Sequence, residues 1–222
     1  MEIIPNLWQV GGSGFTAVED AAIYLVRLGD QAFLVDAGCG FGHGKLIQNI
    51  AAVLPRHVEI VYLFLTHCHF DHTGGAGAVK TEYGCGLVAH EKDAVFLENA
   101  NNKVTAAAWY GAQLTPVMID IKIQKEEDSM RVGDGKVFLY HCPGHSPGSM
   151  VYLVCLGETR VLFGQDVHGP LDPMLLSNRD DYMRSLKRMR DLEADILCEG
   201  HFGVYRGKKA VRRFIESYLR TA

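Results

Sequence analysis

A cluster of metal-binding side chains follows one apolar segment and limits what the whole chain can fold into. The apolar run Ile60–Leu65 is followed at once by His67, His69, Asp71 and His72. A short apolar run predicts a buried strand, so the four polar side chains are expected at its end. Bringing three imidazoles and a carboxylate together in a desolvated site is costly unless a cation binds them. The stretch therefore predicts a metal site, and the rest of the chain has to supply further ligands.

Three other predicted strands also end in a side chain that can bind a metal. His145 lies in the segment 143–148, Pro-Gly-His-Ser-Pro-Gly, Asp166 follows a second strand, and His201 follows a third. A single histidine after a strand is more often a surface or capping residue, so each is weak evidence alone. Their shared position near glycine or proline at the end of an apolar strand favours convergence on one site. Together with the four earlier side chains they are enough ligands for two metal ions.

Charge and composition exclude several classes of partner. The 222 residues carry a net charge of −4 without a run of like charges, which disfavours nucleic acid. The N-terminus has no signal-like segment, and no apolar run approaches the roughly 18 residues of a spanning helix, so we expect a cytoplasmic protein with no membrane partner. The six cysteines form no Cys-x-x-Cys pair and are expected to be reduced thiols. No linker or repeat divides the chain, which predicts a single domain over residues 1–222 and leaves homo-oligomer formation open.

The hydrophobic periodicity predicts strands and helices along the whole chain. Gly29-Asp30 is a two-residue turn signal that predicts a hairpin between its flanking strands. Strands are predicted at Ile3–Val10, Ala22–Leu28, Gln31–Val35, Ile60–Leu65, Gly86–Ala89, Val117–Ile123, Lys136–Tyr140, Met150–Leu156, Arg160–Phe163 and Ile196–Cys198. Helices are predicted at Lys45–Leu54, after the segment Thr73–Gly77 as far as Tyr83, at Glu91–Glu98 and at Asp181–Leu192. A last helix is predicted at the C-terminus, where an apolar stripe runs from Val211 to Leu219. Two layers of sheet with helices outside are the economical architecture for this order.

Taken in order, the motifs resemble those of the metallo-β-lactamase superfamily. The resemblance rests on His67-x-His69-x-Asp71-His72, on Pro-Gly-His-Ser-Pro-Gly-Ser at 143–149, on Asp166, on Gly200-His201 and on the turn Val35-Asp36-Ala37-Gly38. It implies an α/β fold, a four-layer αββα sandwich in which two mixed sheets are flanked by helices. The ligand set is similar to that of glyoxalase II, but only 21 residues follow His201, too few for the helical C-terminal domain of that enzyme.

The resemblance also implies a role for each candidate ligand. His67, His69 and His145 would hold one metal, Asp71, His72 and His201 would hold a second, and Asp166 would bridge both. Asp36 matches a turn residue near the site in such folds and is expected to orient a ligand imidazole.

The expected chemistry is metal-dependent hydrolysis. A divalent metal lowers the pKa of coordinated water from 15.7 to about 7, which makes a hydroxide available at neutral pH. A hydroxide bridging two metals would cleave an ester, thioester, lactone or phosphoester of a small molecule, and Asp71 would hold or shuttle its proton. The ligand types suit zinc first, with iron or manganese as alternatives. A second interpretation is an oxidoreductase similar to the persulfide dioxygenases of the superfamily, with one iron held by His67, His145 and Asp166.

Two segments outside the ligand motifs are candidates for the substrate pocket. Residues 99–115 include the aromatics Trp109 and Tyr110 and are expected to form a mobile lid, a pocket wall or a surface connection anchored by Trp109. His168 begins a loop rich in turn formers just after Asp166. Trp109, Tyr110 and His168 are therefore candidate substrate contacts.

Overall fold

The computed structural model describes residues 1–164 and 166–221. Its strands are β1 (Glu2–Ile4), β2 (Leu7–Gly11), β3 (Ile23–Leu28), β4 (Gln31–Val35), β5 (Glu59–Phe64), β6 (Gly86–His90), β7 (Ile121–Ile123), β8 (Glu127–Val132), β9 (Gly135–His141), β10 (Met150–Leu156), β11 (Thr159–Phe163), β12 (Ile196–Cys198) and β13 (Val204–Arg206). Its α-helices are α1 (His43–Val53), α2 (Phe70–Thr73), α3 (Ala76–Tyr83), α4 (Glu91–Glu98), α5 (Arg179–Asp191) and α6 (Lys208–Thr221). Single turns of 3-10 helix lie at Ala107–Tyr110 and Pro173–Leu175.

The strands form two mixed sheets. The first has the order β1-β2-β3-β4-β5-β6-β7, antiparallel as far as β4 and parallel from β4 to β7. The second has the order β13-β12-β11-β10-β9-β8, in which β11 and β12 are the parallel pair. Parallel neighbours end at the same edge of a sheet, so the segments that follow them are brought together there.

The two sheets pack face to face through large aromatic side chains. Phe33 and Phe64 of the first sheet are fully buried, as is Tyr152 of the second. The Phe64 ring centroid lies 5.3 Å from that of Phe33 and 5.0 Å from that of Tyr152. Each buried side chain of this size stabilises the fold by roughly 1.5–3 kcal/mol. The Tyr152 hydroxyl also donates to the carbonyl oxygen of Leu65 at 2.6 Å, which joins the second sheet to the end of β5.

Helices cover the outer face of each sheet. α1, α3 and α4 pack on the first sheet, whereas α5 and α6 pack on each other and α6 packs on the second. In α6 the apolar Val211 and Ile215 are buried while Arg212 and Arg213 are exposed, as the spacing of its apolar residues predicts. The layers therefore run helix, sheet, sheet, helix, which confirms the αββα sandwich and the α/β class expected from the sequence.

The structure differs from the predicted elements in a few places. The predicted strand Ile3–Val10 is a hairpin of β1 and β2, because Asn6 takes a left-handed conformation with φ of 70°. The predicted strand Val117–Ile123 is extended sheet only over Ile121–Ile123. The sequence does not predict the one-turn helix α2 or the strands β8 and β13. Both strands lie at sheet edges with mostly exposed or half-buried side chains, so they have little of the apolar alternation that marks a strand.

Two further observations concern the whole described part of the chain. No helix in it has the length and apolar character needed to cross a membrane. All six cysteines lie within it as free thiols, of which Cys155 is exposed and the others are buried.

Candidate metal centre

The seven candidate ligands lie after the carboxyl ends of strands, at one edge of the sandwich. The first sheet contributes the segment after β5, which places His67 and His69 before α2 and Asp71 and His72 within it. The second sheet contributes His145 after β9, Asp166 after β11 and His201 after β12. The site therefore lies across the line where the two sheets meet.

Four of these residues form what we call the first cluster: His67, His69, His145 and Asp166. One ligand atom of each lies within 4.8 Å of the ligand atoms of the other three. The three imidazole centroids are 4.5 to 4.7 Å apart, and the rings are nearly perpendicular to one another. All four side chains are buried. The three rings thus surround one point as a tripod.

The other three residues, Asp71, His72 and His201, form the second cluster, and their ligand atoms also lie within 4.8 Å of one another. Asp71 Oδ2 is 3.6 Å from His72 Nε2 and 3.2 Å from His201 Nε2. His72 is fully buried, whereas the His201 side chain is one-third exposed. The second cluster therefore lies on the solvent side of the centre.

Asp166 stands between the two clusters and turns one carboxylate oxygen to each. Its Oδ2 lies 3.2 Å from His145 Nε2 and 3.7 Å from His67 Nε2. Its Oδ1 lies 3.2 Å from His72 Nε2 and 3.4 Å from His201 Nε2. The backbone at Asp166 has a φ of 53°, a left-handed conformation that aspartate adopts more readily than most residues.

The buried carboxylate of Asp36 fixes two of the imidazoles from behind. Its Oδ2 lies 2.7 Å from His72 Nδ1 and also accepts the Thr66 hydroxyl at 2.7 Å. Because that hydroxyl donates to Asp36, Thr66 Oγ1 accepts from His67 Nδ1 at 3.0 Å. Both Nδ1 atoms therefore carry a proton, so in the neutral form of each ring the lone pair is on Nε2, which faces the centre.

His145 is oriented in the same way by a backbone carbonyl. Its Nδ1 lies 2.8 Å from the carbonyl oxygen of Pro170, an acceptor that has no proton to give. Nδ1 is therefore the donor, and Nε2 is free to bind a cation.

The atoms that face the centre have no hydrogen-bond partner among the described residues. They are Nε2 of His67, His69, His72 and His145, together with Oδ1 of Asp166, and all are buried. A buried polar atom left unsatisfied costs roughly 1–3 kcal/mol, so five such atoms at one place are strongly unfavourable without a shared partner. Each is an electron-pair donor of the kind that divalent metals bind. The donor set therefore fits divalent metal.

Electrostatics distinguish the histidines of the two clusters. Burial and the neighbouring imidazoles lower the pKa of His67 well below its usual value, and burial with the nearby His145 lowers that of His69 to about 3. Burial also acts to lower the pKa of His72 and of His201. At these two the neighbouring carboxylates outweigh burial, and the pKa of each is raised. The first cluster is thus ready to bind a metal at neutral pH, whereas the second competes with protons.

The two carboxylates at the centre are ionised. Burial acts to raise the pKa of Asp166, but the coulombic effect of His72 and the close approach of the His145 and His67 imidazoles outweigh it and hold that pKa well below its usual range. The pKa of Asp71 is likewise lowered, because His72 and His201 outweigh the effect of burial.

Asp93, in the first turn of α4, joins the two loops that carry the first cluster. Its Oδ2 accepts the Cys68 backbone N–H at 2.9 Å and the Ser146 hydroxyl at 2.5 Å. Its Oδ1 accepts the Gly148 backbone N–H at 2.6 Å. Cys68 lies between His67 and His69, and Ser146 follows His145, so one buried carboxylate positions all three imidazoles. No motif in the sequence marks this residue.

Glu199 does the same for the loop that carries His201. It is fully buried, and its Oε2 accepts the backbone N–H groups of His201 and Phe202 at 2.7 and 2.8 Å. Its Oε1 lies 2.8 Å from His168 Nδ1. Glu199 is not among the residues predicted from the sequence, although its position at the end of a strand, two residues before a predicted ligand, is a signal that could have identified it.

A cavity of about 190 Å³ opens at the two clusters, and the three predicted substrate contacts Trp109, Tyr110 and His168 are in its wall. Burial, with the charge of Asp71 and a hydrogen bond to it, raises the pKa of Tyr110, so the phenol is neutral. The segment 99–115 is anchored at this wall. The Phe70 N–H donates to the Thr105 carbonyl at 2.8 Å.

Comparison with known proteins agrees with this geometry. The sequence pattern of the family described as the metallo-beta-lactamase superfamily matches residues 17–201. An acyl-coenzyme A thioesterase, MBLAC2 of Gallus gallus, is 28% identical over 233 residues, which cover 91% of this chain and 79% of that protein. The MBLAC2 thioesterase of Homo sapiens is 27% identical over 232 residues, which cover 91% of this chain and 80% of that protein.

Solved structures show the same fold. A metallo-β-lactamase of Cronobacter sakazakii superposes with a TM-score of 0.81 at 21% identity, covering 100% of this chain and 91% of that one. BJP-1, a subclass B3 metallo-β-lactamase of Bradyrhizobium japonicum, superposes with a TM-score of 0.79 at 23% identity, covering 100% of this chain and 90% of that one. The match over residues 17–201, the shared fold and the cluster geometry lead to one conclusion. The chain belongs to the metallo-β-lactamase superfamily and is a metal-dependent hydrolase.

Proposed function

We propose that this chain hydrolyses thioesters of small molecules with the help of two divalent metal ions. The observation that carries the dinuclear part is the position of Asp166, whose two oxygens face the two clusters separately. A site built for one ion would have no use for a second set of converging ligands around the other oxygen. The thioester part is supported by the relatives named acyl-coenzyme A thioesterase, which match 91% of the chain.

In this proposal His67, His69 and His145 hold one ion, Asp71, His72 and His201 hold the other, and Asp166 bridges them. Zinc is the expected metal, with iron or manganese as alternatives, because the donors are imidazoles and carboxylates without thiolate. When bound, the ions would lower the pKa of a water molecule and polarise the thioester carbonyl.

A side chain of the protein accepts the proton of the attacking water and later returns it to the leaving group. Asp71 lines the cavity and is ionised, so we assign it to receive the proton that the attacking water loses. The water oxygen bonds to the carbonyl carbon, the C–S bond breaks, and the sulfur leaves with the electron pair. The thiolate then takes the proton from Asp71, so that one thioester and one water give one carboxylic acid and one thiol.

The test is a panel of thioester, lactone and phosphodiester substrates, assayed on protein whose metal content has been measured. We expect about two ions per chain, release of thiol from thioesters and loss of turnover after chelation. His201→Ala should reduce the metal content to about one ion per chain and abolish turnover, because it removes a ligand of the second cluster only. His57→Ala is the matched control, because His57 is exposed and outside both clusters.

Several outcomes would contradict the proposal. Two ions with activity on lactones or phosphodiesters but not on thioesters would overturn the substrate class. A single ion per chain in fully loaded wild-type protein would overturn the dinuclear part. One iron per chain with oxygen uptake on a persulfide would favour the dioxygenase interpretation.

A further inference from the structure

A buried carboxylate that belongs to neither cluster joins two segments next to the second cluster. Asp20 lies in the loop between β2 and β3 and is only 4% exposed. Its Oδ1 accepts the Cys39 backbone N–H at 2.8 Å and the Cys39 thiol at 2.6 Å. Its Oδ2 accepts the Thr16 hydroxyl and, at 3.1 Å, the Ala17 backbone N–H. The carboxylate therefore ties its own loop to the turn that follows β4.

The Asp20 carboxylate is closely surrounded by this turn. Burial and the hydrogen bond to Asp20 raise the pKa of the Cys39 thiol to about 12, so the thiol remains a donor at neutral pH. Gly38 has a φ of 67°, and a Cβ at this position would lie 2.7 Å from the Asp20 carboxyl carbon. Glycine is therefore needed for so close an approach of the backbone. Four donors and the packed turn fix the position of the carboxylate.

The two residues after Asp20 hydrogen-bond to segments that carry ligands of the second cluster. The Ala21 N–H donates to the carbonyl oxygen of Asp71 at 3.1 Å. The Ala22 N–H donates at 2.8 Å to the carbonyl oxygen of Gly200, the residue before His201. The segment that begins at Asp20 thus supports the backbone of two of the three ligands.

The turn on the other side of the carboxylate supports the third ligand. Cys39 is two residues after Ala37, whose N–H donates to the carbonyl oxygen of His72 at 2.8 Å. The same turn carries Asp36, whose carboxylate lies 2.7 Å from His72 Nδ1. All three ligands of the second cluster are therefore supported by the two segments that Asp20 joins.

The first cluster has a separate support. Asp93 accepts its hydrogen bonds from the loops that carry His67, His69 and His145. None of the four hydrogen bonds that Asp20 accepts comes from those loops. Each cluster thus has its own buried carboxylate behind it.

We propose that Asp20 is a positioning residue for the second metal ion, so that the affinity for this ion can change while the affinity for the first ion stays the same. The inference rests on the dinuclear part of the proposed function and deepens it. Among the described residues no hydrogen bond joins Asp20 to a ligand side chain, so it acts through the backbone of the two segments. Without it the ligands of the second cluster lose their common support, whereas those of the first cluster keep theirs.

Asp20→Asn is the first variant, because an amide offers one oxygen to donors that approach from two sides. Its NH₂ group must face the N–H of either Cys39 or Ala17, and that N–H then has no acceptor. Groups that hold metal ligands in place typically contribute about 10–100-fold to metal affinity. We expect a loss of about this size for the second ion and of less than about threefold for the first.

A milder substitution serves if Asp20→Asn does not fold. Thr16→Val removes one of the four donors to Asp20 at a half-buried position. It should weaken the second ion by about threefold to tenfold, and Thr16→Ser, which keeps the hydroxyl, should bind both ions as wild type does.

The experiment titrates metal-free protein with zinc in competition with a chromophoric chelator, which gives one affinity for each ion. Val137→Ala is the matched control, because Val137 is buried in the core between the sheets and belongs to neither cluster. This variant should be less stable than wild type and still bind both ions with wild-type affinity. In a His201→Ala background, which leaves the first ion only, Asp20→Asn should change the affinity for that ion by less than about threefold.

The inference is overturned if Asp20→Asn weakens both ions equally, weakens neither, or weakens the ion that remains in the His201→Ala background. Wild-type protein that binds a single ion would instead refute the dinuclear proposal. Hydrogen exchange of metal-free protein then still tests the positioning of the second cluster. Asp20→Asn should speed exchange of the Ala21 and Ala22 amides at least about tenfold and leave that of Gly148 unchanged, and unchanged exchange at Ala21 and Ala22 would refute the role of Asp20.

Discussion

Replacing Asp93 by asparagine removes the charge that holds the two loops of the first cluster together while keeping the size of the side chain. The carboxylate accepts three hydrogen bonds, from the N–H groups of Cys68 and Gly148 and from the hydroxyl of Ser146. An amide has one oxygen, and its NH₂ group must face either Gly148 or the other two donors. The Ser146 hydroxyl can rotate to accept, but neither backbone N–H can, so one buried N–H loses its acceptor in either orientation.

The loss follows from these contacts. An unsatisfied buried N–H costs about 1–3 kcal/mol, and the remaining bonds lose the extra strength that an ionised acceptor gives. Part of this is offset because burial raises the pKa of Asp93, which shows that its charge is itself costly to bury. We expect Asp93→Asn to lower the free energy of unfolding by about 2 kcal/mol and to reduce kcat and metal content, because His67, His69 and His145 are no longer held in place.

The assay is urea denaturation of metal-free protein in the presence of chelator, so that bound metal does not add to stability, followed by kinetics of the reloaded protein. Asp128→Asn is the control, because that carboxylate is partly exposed and lies in β8, at the far edge of the second sheet. Its stability should stay within about 0.5 kcal/mol of wild type. An Asp93→Asn protein with the stability, metal content and kcat of wild type would refute the reasoning.

Three other outcomes can be measured on the same protein. Chelation should lower the melting temperature, because bound metal stabilises only the native state, by about 2.7 kcal/mol when it is present at 100 times its Kd. An unchanged melting temperature after verified metal removal would count against a metal centre. Acidification from pH 8 to pH 6 should release metal from the second cluster first. The pKa values of His72 and His201 are raised, so protons displace metal there as the pH falls, whereas the lowered pKa values of His67 and His69 keep those rings neutral. Simultaneous loss of both ions in metal titrations would contradict this. Alkylation of the native protein at neutral pH should modify one thiol per chain, at the exposed Cys155, and mass spectrometry showing rapid labelling of the buried cysteines would contradict the packing.

The convergence of the candidate ligands could be predicted from the sequence because their signal is local. A histidine or aspartate directly after an apolar strand is visible without the fold, and several of them in order specify an edge of the sandwich. The positions of strands with buried side chains, such as the hairpin around Gly29, are equally local. Edge strands such as β8 lack that signal because few of their side chains are buried.

Asp93 could not be predicted because its role depends on distant parts of the chain. Its partners lie 25 to 55 residues away in sequence, and an aspartate in the first turn of a helix is ordinary there. The division of Asp166 between two clusters is likewise a matter of which oxygen faces which imidazole, and only the fold determines that. The resemblance to the superfamily implies the bridging role but not the geometry.

The ligands and the cavity walls belong to different parts of the chain. The candidate ligands sit at the ends of strands and in α2, whereas Trp109 belongs to the connecting segment 99–115, which supplies none of them. Pro170 and Leu175, by contrast, follow Asp166 in the connection after β11, and the Pro170 carbonyl oxygen also orients His145. Insertions or replacements in segment 99–115 can therefore alter which substrates are accepted while the candidate ligands keep their positions. Divergence within such a lineage should accumulate in this connection first, and exchanging it between relatives should transfer substrate preference without loss of metal.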